Sequence, residues 1–144
     1  MLRLLPIAVP LCFGLSCQSV QSTDLIGTWT MKESSRQILP AELRANSATI
    51  VMEANGTFVA SDLPGIFDFP PVNFRLYRGN GVWKLVSRKG KQQVQLDFHV
   101  IPSGSVTTKL PFTTEMDVSK GWSVSLYYFL GDPDEGRRVE FERK

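Results

Sequence analysis

Apolar and polar positions alternate with period two over most of this chain, which predicts strands rather than helices. Leu25, Gly27, Trp29 and Met31 share one face of a first strand. The stretch from Ser34 to Asn46 breaks the rhythm, and Pro40 to Arg44 predicts one short helical turn opened by its proline. Ala48–Glu53 and Thr57–Ser61 then read as strands flanking Asn55-Gly56. That dipeptide predicts a hairpin with a type I′ turn, because both residues tolerate positive φ. From Asp62 to Gly81 the pattern is least regular: Pro64, Pro70, Pro71 and three glycines punctuate Ile66, Phe67, Phe69, Phe74 and Tyr77. A long aromatic loop of this kind is expected to be a lid over the core or a binding surface.

Alternation resumes at Val82–Val86, turns at Arg88–Lys91, and continues over Gln93–Val100. There Val94, Leu96, Phe98 and Val100 point inward, and Gln93, Gln95, Asp97 and His99 outward. Ile101–Thr108 reads as a loop or weak edge strand, Leu110–Val118 as a further strand, and Trp122–Leu130 as the most hydrophobic one. Gly131–Gly136 turns the chain into Arg137–Arg143, with Val139 and Phe141 facing in. About eight short strands, joined by hairpin-length turns without a long amphipathic helix, predict an all-β fold. A small antiparallel up-and-down barrel is the first choice and a sandwich the second, since closure also removes exposed edges.

The first residues follow a different logic. Arg3 supplies a positive start, Leu4–Leu15 is uncharged and mostly apolar, and Ser16-Cys17-Gln18-Ser19 is small and polar. The apolar run is too short to span a bilayer and has the length of an export-signal core. Of the two cysteines, Cys12 lies inside this run and would leave with it, so Cys17 would remain without a disulfide partner. Gly14-Leu15-Ser16-Cys17 resembles a bacterial lipobox, with Gly14 where that motif favours leucine. The resemblance implies a diacylglycerol thioether on Cys17 and attachment to the extracytoplasmic face of a membrane. The other reading is ordinary cleavage after Ser16 or Ser19. The expected organisation is a signal at 1–16, a lipidated cysteine with polar tether at 17–23, and a β-barrel domain at 24–144. Gln18 lacks the aspartate that, by resemblance, accompanies inner-membrane retention in some bacteria.

Composition narrows the function classes. Removing the first 16 of 144 residues leaves 128, enough for one domain with a real core. Loss of Arg3 brings 16 Lys and Arg down to 15 against 14 Asp and Glu, a balance that argues against a nucleic-acid binder. Arg88-Lys89-Gly90-Lys91 reads as a solvated hairpin tip, with contact to anionic headgroups as the sharper alternative. His99 is the single histidine and is placed on an outward face, and no zinc-type ligand spacing occurs. Asp132, Asp134 and Glu135 crowd one turn, where ordinary turn chemistry outweighs a calcium site. Nor can adjacent carboxylates face each other across a glycosidase cleft. The expectation is a non-enzymatic, monomeric protein without cofactor or metal. Asn55-Gly56-Thr57 also fits a glycosylation sequon and is read as the turn. Among Trp29, Trp83 and Trp122, core filling is expected for at least two.

Two resemblances bear on fold and ligand. Gly27-Thr28-Trp29 resembles the Gly-x-Trp opening of lipocalins and their calycin relatives. It implies an eight-stranded barrel in which this tryptophan plugs the closed end beneath an arginine from the last strand; Arg137, Arg138 and Arg143 are the candidates. The order Gly27-Thr28-Trp29, Asn55-Gly56-Thr57-Phe58, Gly81-Val82-Trp83 and Tyr127–Asp134 is similar to small bacterial lipoproteins of unknown function. That likeness implies fold and location and supplies no chemistry. A calycin-like barrel implies an apolar or amphipathic ligand, with Trp29, Phe58, Trp83, Phe98 and Tyr128 as the expected lining. The alternative is a filled-core structural or protein-interaction module of the cell envelope.

Overall fold

The computed structural model describes residues 19–68, 75–103, 106–108 and 112–144. Its strands are β1 (Gly27–Met31), β2 (Thr49–Met52), β3 (Thr57–Pro64), β4 (Leu76–Arg88), β5 (Lys91–Ser103), β6 (Val106–Thr108), β7 (Phe112–Lys120), β8 (Val124–Phe129) and β9 (Arg138–Arg143). Every pairing is antiparallel; sequential strands pair in turn, except that β5 also pairs with β7 past the short β6, which pairs only with the end of β5. The last strand returns to the first, with Trp29 opposite Arg143 and Met31 opposite Phe141. Eight strands therefore close into an up-and-down barrel, and the sandwich alternative falls.

The alternation fixes what fills it. Trp29, Met31, Ile50, Met52, Phe58, Val94, Leu96, Phe98, Met116, Leu126, Val139 and Phe141 are all buried inward-facing residues of their strands. One slip in register would turn these residues to solvent, so the pattern itself holds the pairing in place. Two bulges bend the wall. In β3, Ser61 and Asp62 together oppose Arg78; Asp62 adopts φ 54° and its carboxylate meets Arg78 at 2.7 Å. In β5, His99 is the extra residue between the pairs Gly81–Phe98 and Asn80–Val100.

The turns depart from expectation instructively. Asn55-Gly56 does join β2 to β3, but only Gly56 has positive φ (82°), and its N–H donates to the Glu53 carbonyl. This is a three-residue loop with glycine in the left-handed position rather than a type I′ turn. Asn55 Oδ1 prefers to accept from both the backbone N–H and the hydroxyl of Thr57. The two-residue turn with positive φ at both positions is Lys89-Gly90 (49° and 78°), between the paired Arg88 and Lys91.

β4 and β5 are 13 residues each, so Leu76–Gly81 is strand where irregularity was expected, and of the two readings for Ile101–Thr108 the edge strand holds, Ile101–Ser103 pairing with β6. Trp122 lies in the β7–β8 turn, outside the strand that its apolar neighbours predicted, and is fully exposed. Trp29 and Trp83 are buried. Between β1 and β2 the chain forms the short helix α1 (Glu33–Arg36) and a 3-10 turn at Ala41–Leu43 behind Pro40, where one helical turn was expected. α1 is fastened to β9: Ser35 Oγ accepts from the Glu140 N–H, and Lys32 pairs with the Glu140 carboxylate at 3.0 Å.

Polar composition predicts an unstructured tether up to Thr23, yet packing begins earlier. Val20 is buried, and its N–H and C=O bond both ends of the Gln92 amide at 2.7 and 2.8 Å. A 3-10 turn at Ser22–Leu25 follows and seats Leu25 in the core. The expected signal, Cys17 and Gln18 lie outside the described residues, as do Phe69, Pro70, Pro71 and Phe74 of the aromatic loop.

Two outer-wall carboxylates set an acid dependence. Hydrogen bonds from Thr113 and Gln95 hold the Asp97 carboxyl below its ordinary value. For Glu140, burial acts upward but is outweighed by the Lys32 and Arg138 cations, and the net direction is again down. A carboxylate depressed in the folded state stabilises it above the unfolded pKa, and that stability is lost as pH falls through the folded value. The thermal midpoint is therefore expected to drop as pH falls below about 4. Glu140→Gln should flatten that fall, and an unchanged slope in a melting series across acid pH would remove Glu140 from this account.

Candidate functional site

The barrel has two unlike ends. At one end lie the β2–β3, β4–β5 and β7–β8 hairpins and the start of β1; at the other lie the β1–β2 connection, the β3–β4 loop and the β8–β9 turn.

The first end is closed by Trp29. Its ring is wholly buried and its indole N–H donates to the Leu25 carbonyl at 2.8 Å, so the N-terminal 3-10 turn is bonded to the plug. Arg143, the cross-strand neighbour of Trp29, reaches back to the carbonyls of Asp24 and Ile26 at 3.2 and 3.4 Å. Of the three candidate arginines it is the one over the closed end, held there by carbonyl oxygens. Arg138 instead stacks on Tyr127, 4.8 Å from the ring centre, and Arg137 pairs with Glu135. A shallow hollow of about 350 Å³ lies outside this end, lined by Asp24, Trp29, Ser123, Val124, Glu142 and Arg143.

The second end is covered from within by the β3–β4 loop. Gly65 N–H donates to the Arg75 carbonyl, and Asp68 accepts from the Arg75 N–H at 2.8 Å and from the Tyr77 hydroxyl. These bonds shape the described part of the loop into a cap. Phe67 hangs from it, half-buried, with its ring 5.1 Å from Tyr77, 5.2 Å from Phe98 and 5.5 Å from Phe112. From the opposite wall the Tyr128 hydroxyl donates to the Pro64 carbonyl at 2.8 Å and pins the cap across the mouth. Burial, then the hydrogen bond to the Asp68 carboxylate, raises the Tyr77 phenol to about 12, and burial pushes Tyr128 well above its usual value. Both hydroxyls are thus donors at any physiological pH.

The five expected lining residues are brought to one interior. Trp29, Phe58 and Phe98 are at most 1% exposed, Tyr128 6% and Trp83 8%. Phe58 and Phe98 meet edge to face at 4.8 Å, and Tyr128 lies 6.1 Å from Phe141. Trp83 sits nearer the closed end, donating its indole N–H to the Glu53 carbonyl at 3.1 Å. Of the five, Phe58 and Phe98 are in ring contact, while Tyr128 packs on Phe141. Sequence reasoning missed Phe67, Tyr77 and Asp68 as a unit. The alternation that marks wall residues carries no information about which loop residue folds back between them.

Other chemical candidates fall into structural roles. Asp132 caps the turn by accepting from the Asp134 N–H at 2.9 Å, and Glu135 pairs with Arg137. His99 is exposed at its bulge. No model of a known family, no curated protein and no solved structure matches this chain. The fold is a closed eight-stranded antiparallel barrel, consistent with a lipocalin-like architecture.

Proposed function

We propose that this chain is an exported, lipid-anchored protein of the cell envelope whose barrel, without catalysing a reaction, takes an apolar or amphipathic molecule at its capped mouth. The anchor is Cys17, read from the export-type N-terminus and its likeness to a lipobox. The observation that carries ligand binding is Phe67. A half-buried ring supplied by a loop occupies an aromatic niche formed by Tyr77, Phe98 and Phe112, so an aliphatic or aromatic group entering the mouth would take the place of that ring. Only the Phe67 ring need move, because the Asp68 bonds to Arg75 and Tyr77 and the Tyr128–Pro64 bond across the mouth keep the rest of the cap in place. The Tyr77 and Tyr128 hydroxyl oxygens, whose protons go to Asp68 and Pro64, would still accept a hydrogen bond from a polar head, in keeping with the mixed lining of small-molecule sites.

A second reading is a filled-core module that binds another envelope protein through its loops. The tight burial of Trp29, Phe58 and Phe98 favours it, since these rings leave no space for a guest deep in the barrel.

Native mass spectrometry of the exported chain and of Phe67→Ala separates the two. A ligand carrier is expected to show an adduct of a few hundred daltons that is lost on denaturation. Removing the competing ring should increase its occupancy. Bare masses for both proteins, across growth conditions, would overturn the carrier reading and leave the interaction module. For the anchor, Cys17→Ser is expected to move the protein from the membrane to the soluble fraction, because one acylated residue supplies the attachment. A variant that stays fully membrane-bound would refute lipidation as the means of attachment.

A further inference from the structure

Trp122 is the one large hydrophobic residue among the described residues that stands wholly in solvent, at the tip of the β7–β8 hairpin. Glycine before it and serine after it give the indole no wall to pack on, so its position is not explained by the fold. Its surroundings are specific. The neighbouring β4–β5 tip presents Lys89 and Lys91, both exposed and without an ion pair among the described residues. Lys120, two residues before the indole, lies 3.8 Å from Asp24. The N-terminal segment leaves the barrel between these two hairpins: Ser19, Gln21, Asp24 and Lys120 line one hollow there, and Val20 abuts the β4–β5 turn through Gln92. Acidic groups also face this end, Asp24 and Glu142 beside the shallow hollow and Glu53 on the β2–β3 tip.

Covalent reach then fixes a distance. Ser19 is seated at this end, and two residues of extended chain span about 7 Å. Anything bonded to Cys17 is therefore confined to the immediate neighbourhood of the Trp122 and Lys89 hairpins. We infer that the closed end of the barrel is a lipid-docking surface: Trp122 inserts at the headgroup level of an anionic bilayer, Lys89 and Lys91 lie against its phosphates, and the capped mouth points away into the aqueous space. Indoles favour this depth because one edge is apolar and the N–H is polar, and lysines beside the membrane gain from its negative surface potential. The inference rests on the proposed anchor at Cys17 and adds to it an orientation and a second point of contact.

The test uses the full-length exported chain reconstituted in phosphatidylglycerol-containing vesicles whose acyl chains carry bromine near the headgroup. Intact mass first establishes whether Cys17 bears diacylglycerol. Bromolipid is expected to quench the tryptophan emission of the acylated chain. That quenching should be lost in Trp122→Phe, since Trp29 and Trp83 are buried in the barrel. Phenylalanine at a solvent-exposed turn leaves folding intact, which circular dichroism verifies. An acylated chain whose Trp122 emission is unaffected by bromolipid overturns the docking surface and leaves the anchor standing. Protection of Trp122 by a co-purifying protein, with no lipid quenching, overturns it in favour of a protein partner. A mature chain without acyl mass on Cys17 overturns the anchor and the docking surface together.

Discussion

Gly81→Ala is expected to destabilise the barrel by about 3 kcal/mol or more, lowering the thermal midpoint by about 10 °C or more. The cause is a close backbone approach. A Cβ placed on Gly81 would lie 1.9 Å from the Asp97 carbonyl oxygen and 2.9 Å from its carbon, with the Phe58 ring at 3.0 Å. The obstacle is mostly main chain, which cannot rotate away as a side-chain tip would. It sits there because His99 is inserted as an extra residue opposite this point, and the bulge tips β5 toward β4. Relief requires moving β5, and with it Phe98, which packs on Phe58 and Phe67. A useful control is Gly90→Ala. It has open space around its Cβ and suffers only the positive-φ penalty of its turn (φ 78°), so it should cost about 1 kcal/mol. Equal, small losses for the two variants in denaturant titrations would show that β4 and β5 separate freely at Gly81.

That contrast marks what the sequence discloses and what it conceals. The alternation at Trp29–Met31, Val94–Phe98 and Val139–Phe141 exposed the inward face of each strand, because burial on one side leaves a period-two record. The number of strands and their short turns then pointed to a closed meander, and the pairing of β9 with β1 completes it. Asn55-Gly56 marked a hairpin correctly but not its turn type, since the Asn55 side chain found a better acceptor role with Thr57. Trp122 extended an apolar run and so read as strand, although the Gly121-Trp122-Ser123 turn had already begun. Which of the three arginines lies opposite Trp29 was left open until register placed Arg143 there, because that depends on a pairing that no local pattern specifies. The mouth was the least legible part. Phe67 reaches Phe98 and Phe112 only because the β3 bulge and the Asp68–Tyr77 bond fold the loop inward, and long-range placement of this kind has no periodic signature.

The other large effect concerns the plug. Trp29→Ala is expected to cost about 3–5 kcal/mol, the range for deleting a large buried aromatic side chain. Its ring is completely inaccessible, and what surrounds it comes from distant parts of the chain: Leu25 from the N-terminal turn, Ile50 opposite it on β2 and Arg143 opposite it on β9. These neighbours are fixed by backbone ladders on both sides, so the vacated space cannot collapse easily and a cavity remains. A second loss is polar. The Leu25 carbonyl would surrender its 2.8 Å bond from the indole N–H, in a site closed to water. Trp29→Phe separates the two contributions, keeping most of the volume while removing the donor, and should lie between wild type and alanine. If the plug also holds the N-terminal turn, Trp29→Ala should free Val20 from Gln92, and hydrogen exchange at residues 20–25 should rise out of proportion to that of β4 and β5. An even rise across all strands would mean that Trp29 serves only the general core. A local rise would show that the plug couples the start of the folded chain, and hence the direction in which any anchor leaves it, to the closure of the barrel.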